Sequence, residues 1–338
     1  MPRNSHATFT VDSAVELAVI ERSGFIESRH IGSAVVLSAD GQVVTELGDI
    51  RTPIYARSTL KPFQAMASMQ AGVPLRGAQV ALACASHVGS LEHMDVVETM
   101  LKAAGVTEDD LRCPADWPYD EAARNWLLRS EKGKSRLAFN CSGKHAAFLW
   151  ACTENGWDKS TYLDPTHPLQ EQIRAVIEEY TEEEIAHMGI DGCGAPVAAV
   201  SLTGLARAYS TLAKAPGNKN SNARAATIAT SMLDYPWAIQ GTGQPNTIVM
   251  DELGVIAKIG AEGVLVMATD QGVSVAVKVL DGNIRATSLV GLTLLAAAEA
   301  IEVPAVARVL EKVVDPVLGG GVPVGRMRLG SAVAALLD

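Results

Sequence analysis

The chain has 338 residues, 48% of them hydrophobic, which is enough for one large core or two modest ones, and the length favours two lobes over several domains. Lys and Arg number 28 against 38 Asp and Glu, a net charge of −10, and no basic run or aromatic-basic interleaving occurs, which excludes a sequence-independent nucleic-acid binder. Met1 to His6 lacks an apolar leader segment, residues 289–301 are too short and interrupted to span a bilayer, and five scattered cysteines do not form a secreted disulfide framework, so a cytoplasmic protein with no membrane segment is expected.

In chain order, residues 15–49 carry short β-branched runs, with Asp40-Gly41 ahead of Val43-Val44 as a hairpin signal, and predict two or three antiparallel strands. Helical spacing with capping residues and closing glycines then predicts helices over 58–71, 91–104, 121–129, 144–154, 169–180, 197–213 and 223–233. Strands return at 263–268 and 273–279, with Asp281-Gly282-Asn283 as a turn, before a last helix over 290–301. Residues 214–221 read as a polar loop and Gly319-Gly320-Gly321 as a turn. Strands, helices, strands, helix is an α+β order and not βαβ repetition. The corresponding division is a sheet lobe from 1–57 and 255–338, a mainly helical lobe from 58–254, and an active site between them.

The only Ser-x-x-Lys in the chain, Ser58-Thr59-Leu60-Lys61, stands where the first helix begins. Positions i and i+3 share a helical face, so Ser58 Oγ and Lys61 Nζ can meet, and a neutral lysine can then act as base. Neutrality near pH 7 means lowering a lysine from about 10.4 to about 7 or 8, roughly 4 kcal/mol. A helix-capping serine beside a surface lysine is the structural alternative. Late in the chain, Lys258-Ile259-Gly260 is the only Lys-x-Gly and leads to an apolar strand. Penicillin-recognising enzymes pair Ser-x-x-Lys with a late Lys-Thr-Gly in this order around an acyl-enzyme site; their middle Ser-x-Asn or Tyr-x-Asn is missing here, and Ser86-His87-Val88-Gly89 stands between the two motifs instead. Asn140-Cys141-Ser142-Gly143-Lys144-His145 and Asp191-Gly192-Cys193-Gly194-Ala195-Pro196 are both expected to open helices. Their two thiolates could share a zinc ion with a third ligand from the Lys144-His145 turn, or they could be small residues that permit close packing.

These motifs together with Cys84-Ala85-Ser86-His87 and Gly241-Thr242-Gly243, in this order over nearly the whole chain, resemble the rhizobial-type, or class 3, L-asparaginases. A hairpin over 278–285 fits the same pattern. The resemblance implies a fold similar to serine β-lactamases and glutaminases, a homodimer, and hydrolysis of L-asparagine to aspartate and ammonia. It implies two Ser-Lys pairs, Ser58 with Lys61 and Ser86 with Lys258. It also implies zinc held by Cys141, Lys144 and Cys193; an ion bound by two thiolates and a lysine is expected to shape the pocket and orient substrate more than to act as Lewis acid. Asp191 is implied to meet the substrate's α-amino group, with Arg57 and His145 as further polar positions of the site. Members often show Arg after Gly-Thr-Gly and a Glu soon after the Ser-His pair; this chain has Gln244 and Ser90 there, which bears on the substrate-carboxylate contacts.

The mechanism this implies has Lys61 taking the proton of Ser58, whose Oγ attacks the amide carbon, with Lys258 and Ser86 relaying protons. The alternatives are a Ser-Lys amidase or β-lactamase-like hydrolase for another small amide, a hydrolase whose catalytic metal sits on Cys141 and Cys193, and a non-catalytic amino-acid-binding protein. His30, His93, His167 and His187, the tryptophans at 117, 126, 150 and 157, and Glu182-Glu183-Glu184 as a capping box after Thr181 are read as structural.

Overall fold

The computed structural model describes residues 7–337. Three strands open the fold: β1 (Val15–Arg22), β2 (Phe25–Leu37) and β3 (Val43–Leu47). The turn between the first two places Gly24 at φ 82°, which glycine alone adopts without steric cost. Strand β4 (Ile54–Tyr55) leads through a 3₁₀ turn, Arg57–Leu60, into helix α1 (Lys61–Gln70). Helices α2 (Ala78–Ala83), α3 (Leu91–Ala103), α4 (Glu121–Arg129), α5 (Ser142–Asn155) and α6 (Pro168–Thr181) follow. Strands β5 (His187–Ile190) and β6 (Pro196–Val200) precede α7 (Leu202–Lys214), α8 (Ala223–Asp234), α9 (Pro236–Ile239) and α10 (Pro245–Leu253). Then come β7 (Ile256–Gly260), β8 (Val264–Ala268), β9 (Ser274–Val279), α11 (Thr287–Ala297), α12 (Val303–Val313), β10 (Val317–Gly319), β11 (Val322–Leu329) and α13 (Ser331–Ala334).

The main sheet runs β10-β11-β1-β2-β9-β8-β7, with β3 also on β2, and all its pairs are antiparallel. Its strands come from residues 15–47 and 256–329, and helices fill most of the chain between, which is the expected α+β arrangement. Strands β8 and β9 are buried at every position, as strands covered on both faces must be, and helices α7 and α11 both pack on them.

Strand β7 ends the sheet, and the 3₁₀ turn packs against it. A Cβ on Gly260 would stand 2.9 Å from Ala56 O and 3.4 Å from Arg57 Cβ, so the bare glycine lets strand and turn approach. Gly143 does the same where α5 meets α2: a Cβ there would stand 2.8 Å from Leu82 Cγ and 2.9 Å from Leu82 C, and closer still to Leu82 O.

Several local expectations change. The helix expected over 197–213 is split, because the apolar run Pro196–Val200 is a fully buried strand and Ser201 caps α7 by accepting the Gly204 N–H at 2.9 Å. That strand, with β4 and β5, forms a second, three-stranded sheet that the sequence reading lacked. Residues 278–285 are not a hairpin: Asp281 and Asn283 side chains accept the amides of Asn283 and Arg285, and the chain turns into α11. Lys258 lies inside a strand of its own, and α12, β10 and β11 extend the fold beyond the last predicted helix. Glu182 is the left-handed C-cap of α6 at φ 53°, so the acidic run after Thr181 ends a helix instead of starting one. Cys193 sits in the turn between β5 and β6 and opens no helix; Cys141 does cap α5, as expected.

Candidate active site

Lys61, the first residue of α1, and Lys258, the middle residue of β7, are buried, at 1% and 0% exposure. Their amines converge on one hydroxyl: Lys61 Nζ is 3.0 Å and Lys258 Nζ 2.8 Å from Ser86 Oγ. Lys61 also donates to Ala85 O and, at 3.4 Å, to Asn140 O, while Lys258 donates to Ile259 O at 2.8 Å. Burial, and next the neighbouring Lys61 charge, push the pKa of Lys258 well below the ordinary lysine value. A neutral amine keeps a lone pair, so Lys258 can accept the Ser86 proton while donating to Ile259 O.

The loop carrying Ser86 is clamped along its backbone. Ser86 N–H donates to Ile239 O at 2.9 Å, His87 N–H to Asn140 O at 3.2 Å and Val88 N–H to Gln240 O at 2.8 Å. His87 accepts Gly89 N–H on Nδ1 and therefore, as a neutral ring, donates from Nε2 to Ser142 Oγ at 3.0 Å. Burial lowers the His87 pKa well below the usual value, which keeps the ring neutral. His87 stacks on His93 at 4.8 Å, and His93 completes a capping box with Ser90 at the start of α3. Ser90 thus has a local structural role.

Ser58 does not make the expected bond. Among the described residues no hydrogen bond links Ser58 Oγ to Lys61 Nζ, and Lys61 turns to Ser86 instead, because three oxygen acceptors surround its amine there. Ser58 is half-buried in the 3₁₀ turn, and among the described residues neither its hydroxyl nor its amide N–H is engaged. Beside it, Arg57 holds a left-handed φ of 54° and reaches Asp191 with Nε at 2.9 Å and Nη2 at 2.8 Å. A cavity of about 350 Å³ is lined by Arg57 together with Tyr55, His187, Glu262 and Lys278, and neither serine borders it.

The thiol cluster lies along the first turn of α5. Lys144 Nζ is 3.1 Å from Cys193 Sγ, and the Cys141 thiol donates to Asn140 Oδ1 at 3.0 Å. The neighbouring Cys141 thiol holds the Cys193 pKa far below the usual thiol range against the opposing effect of burial, with Lys144 assisting, and Cys141 is pushed up in turn. Lys144 is raised: burial opposes its charge, but the two cysteines outweigh it. His145 is fully buried behind this cluster, with Nδ1 2.7 Å from Tyr162 Oη and Nε2 without a hydrogen bond of normal geometry.

Among the described residues no three His, Cys, Asp or Glu side chains gather as metal ligands. The donors that do gather are two sulfurs and the Lys144 amine, with a buried orphan imidazole nitrogen beside them, and this soft donor set suits zinc. Sequence reasoning missed Asn140, which joins the two halves of the site by accepting from Lys61 and His87 on its carbonyl and from Cys141 on its side chain. Its position directly before Cys141 was the available signal; Tyr162, the partner of His145, had none.

The sequence model of the L-asparaginase II family matches residues 18–329. No match was found among curated proteins. Among solved structures, a β-lactamase from Mycobacterium bovis is similar at 16% identity and a TM-score of 0.43, covering 78% of this chain and 94% of that one. A Bacillus glutaminase is similar at 14% identity and 0.37, over 80% of this chain and 92% of its own. EstCE1, a hydrolase with promiscuous acyltransferase activity, is similar at 11% and 0.36, over 89% and 93%.

Proposed function

The chain belongs to the L-asparaginase II family, and on that premise we infer that it is an L-asparagine amidohydrolase of the rhizobial, class 3 type, working through a Ser-Lys acyl-enzyme. The observation that carries this reading is Ser86 Oγ held between two buried lysine amines at 3.0 and 2.8 Å. Such a row moves protons without bulk water: Lys258, held neutral by burial, is the sink, and Ser86 connects it to Lys61.

Ser58 is the attacking hydroxyl in this scheme. It precedes Lys61 by three residues, where side chains on a tight turn eclipse, so a rotamer change brings its Oγ to Lys61 Nζ. Ser58 Oγ bonds to the side-chain amide carbon of asparagine as its proton passes to Lys61. The C–N bond then breaks, nitrogen takes a proton back from the lysine row, and ammonia leaves. Water attacks the remaining ester and releases aspartate and free Ser58. The free Ser58 amide supports this choice, because an oxyanion needs backbone donors and those of Ser86, His87 and Val88 are all occupied. One such donor is worth about 3 kcal/mol in comparable sites.

Asp191 meets the substrate's α-ammonium in the same reading. Cys141, Cys193 and Lys144 would hold zinc, which when bound supplies a fixed positive charge that shapes the pocket. A homodimer in the cytoplasm belongs to the same reading.

A second assignment has Ser86 itself as the nucleophile, favoured by its two direct lysine bonds. Ammonia release from asparagine, followed by mass-spectrometric trapping of the acyl-enzyme, tests both. Ser58→Ala is expected to abolish acylation, whereas Ser86→Ala slows it and leaves the adduct on Ser58. An adduct on Ser86 reverses the assignment, and a wild-type protein releasing no ammonia from asparagine overturns the function.

A further inference from the structure

The Arg57 and Asp191 side chains meet in an uneven way. Arg57 Nε at 2.9 Å and Gly192 N–H at 2.8 Å both donate to Asp191 Oδ1, and Arg57 Nη2 makes its ion-pair contact with the same oxygen at 2.8 Å. Among the described residues Oδ2 accepts nothing. One oxygen of the carboxylate is thus filled and the other is left open.

The aspartate is built to stay that way. Its own N–H donates to Ala195 O at 2.9 Å and its carbonyl accepts Gly194 N–H at 2.8 Å, a closed turn between β5 and β6 that needs Gly194 at φ 87°. Arg57 reaches it from the first residue of the 3₁₀ turn that also carries Ser58, so this contact ties the Asp191 turn to the turn bearing the serine. The third guanidinium nitrogen, Nη1, lies 3.9 Å from Glu262 Oε1. Lys278 stands beside Glu262 as a second cation and donates to its carbonyl oxygen, so Glu262 does not depend on Arg57 for a partner.

We propose that Arg57 is a positioning residue: it occupies Asp191 Oδ1 and aims Oδ2 at the substrate's α-ammonium, so that the site selects β-amides bearing an α-amine over those lacking one. This rests on the asparagine reading above and assigns Arg57 no contact with the substrate's carboxylate. Arg57 acts on selectivity through Asp191 alone.

The test compares three substrates. Succinamate is asparagine without its amine, and the α-methyl ester of asparagine keeps the amine but lacks the carboxylate charge. In Arg57→Gln, kcat/KM for asparagine and for the ester is expected to fall together by about 10- to 100-fold, the range for losing hydrogen bonds to a charged group, while succinamate hydrolysis stays within about twofold. Asp191→Asn, an isosteric change, gives the same pattern, and the double variant is no worse than Asp191→Asn alone because both act at one point. Arg57→Lys, which keeps the charge, restores part of the asparagine activity and serves where the glutamine variant folds poorly. Parallel loss on asparagine and succinamate with the ester spared would place Arg57 on the carboxylate and overturn the proposal. Multiplying losses in the double variant would overturn it too. A wild-type protein inactive on asparagine instead removes the functional reading, and the proposal with it.

Discussion

Replacing Gly143 with alanine tests whether the close approach of α5 to α2 sets the geometry of the lysine row. The added Cβ would lie 2.8 Å from Leu82 Cγ and 2.9 Å from Leu82 C, where carbon atoms prefer about 3.5 to 4.0 Å. The Leu82 side chain can rotate away, but its backbone, inside α2, cannot. The first turn of α5 must therefore retreat by roughly 0.6 to 1 Å, at the usual overpacking cost of about 1 to 3 kcal/mol. Asn140 stands two residues before the first residue of α5, and its carbonyl holds Lys61 at 3.4 Å and His87 N–H at 3.2 Å. A shift of that size breaks both contacts. Misplacement of about 1 Å at a catalytic group costs on the order of 100-fold in rate. Thermal unfolding and kcat/KM for ammonia release measure the two effects separately: a melting temperature lower by about 2 to 6 °C, and a rate loss near two orders of magnitude in protein that remains folded. A folded Gly143→Ala variant with wild-type kcat/KM would show that the approach is packing alone and that Asn140 does not set the lysine geometry.

Two other outcomes follow from the same groups. Lys258 accepts a proton only when neutral, and its depressed pKa means that kcat/KM rises with pH through that lowered value and levels off below the titration range of an ordinary lysine; Lys258→Arg, which stays charged, abolishes the activity at every pH, and a retained pH profile in that variant removes Lys258 as base. Zinc must displace protons from both Cys141 and Lys144, whose pKa values are raised, so its affinity is expected to climb by up to about 100-fold per pH unit below those values. Competition with a chromophoric chelator at pH 6.5 and 8.0 reads this directly, and a dependence of only about tenfold per pH unit, one proton instead of two, excludes Lys144 as a ligand.

What the sequence made legible was chemistry tied to short-range spacing and gross order. The residues of the lysine row were found because serine and lysine recur in motifs, and the α+β order followed from where β-branched runs and helical spacing fall. Who bonds to whom was not legible. Ser58 and Lys61 are three residues apart, yet Lys61 bonds to Ser86, because Ala85 O and Asn140 O, brought in by the α2 and α5 ends, surround its amine. Those acceptors are backbone atoms, which leave no mark in a residue pattern. Pro196–Val200 was misread for a related reason: a short, fully buried apolar run fits helix and strand equally, and only pairing with Ile54 and His187 decides it. Cys193 was expected to open a helix, whereas it lies in a turn between β5 and β6 in which Gly194 adopts φ 87°.

Placing two lysine amines around one hydroxyl works against folding, and the sign of that effect follows from the titration. An unfolded Lys258 keeps its proton up to about pH 10, but the folded chain resists protonation because burial and Lys61 disfavour the charge. Between the two pKa values the unfolded state binds more protons, so this residue's contribution to stability is full only above the ordinary lysine range. It is lost as pH falls toward the depressed value, neutral pH included. The same inequality makes the amine a usable base near neutrality. The fold offsets the penalty with fully buried neighbours, β8 and β9 on one side of β7 and the clamped 86–88 loop against its lysine on the other. Rigidity is the common requirement: a lysine free to swing into solvent would regain its proton and lose the reactivity together. Glycines at 143 and 260 permit the close approach of α5 to α2 and of β7 to the 3₁₀ turn, the elements from which the two lysines and their partners come.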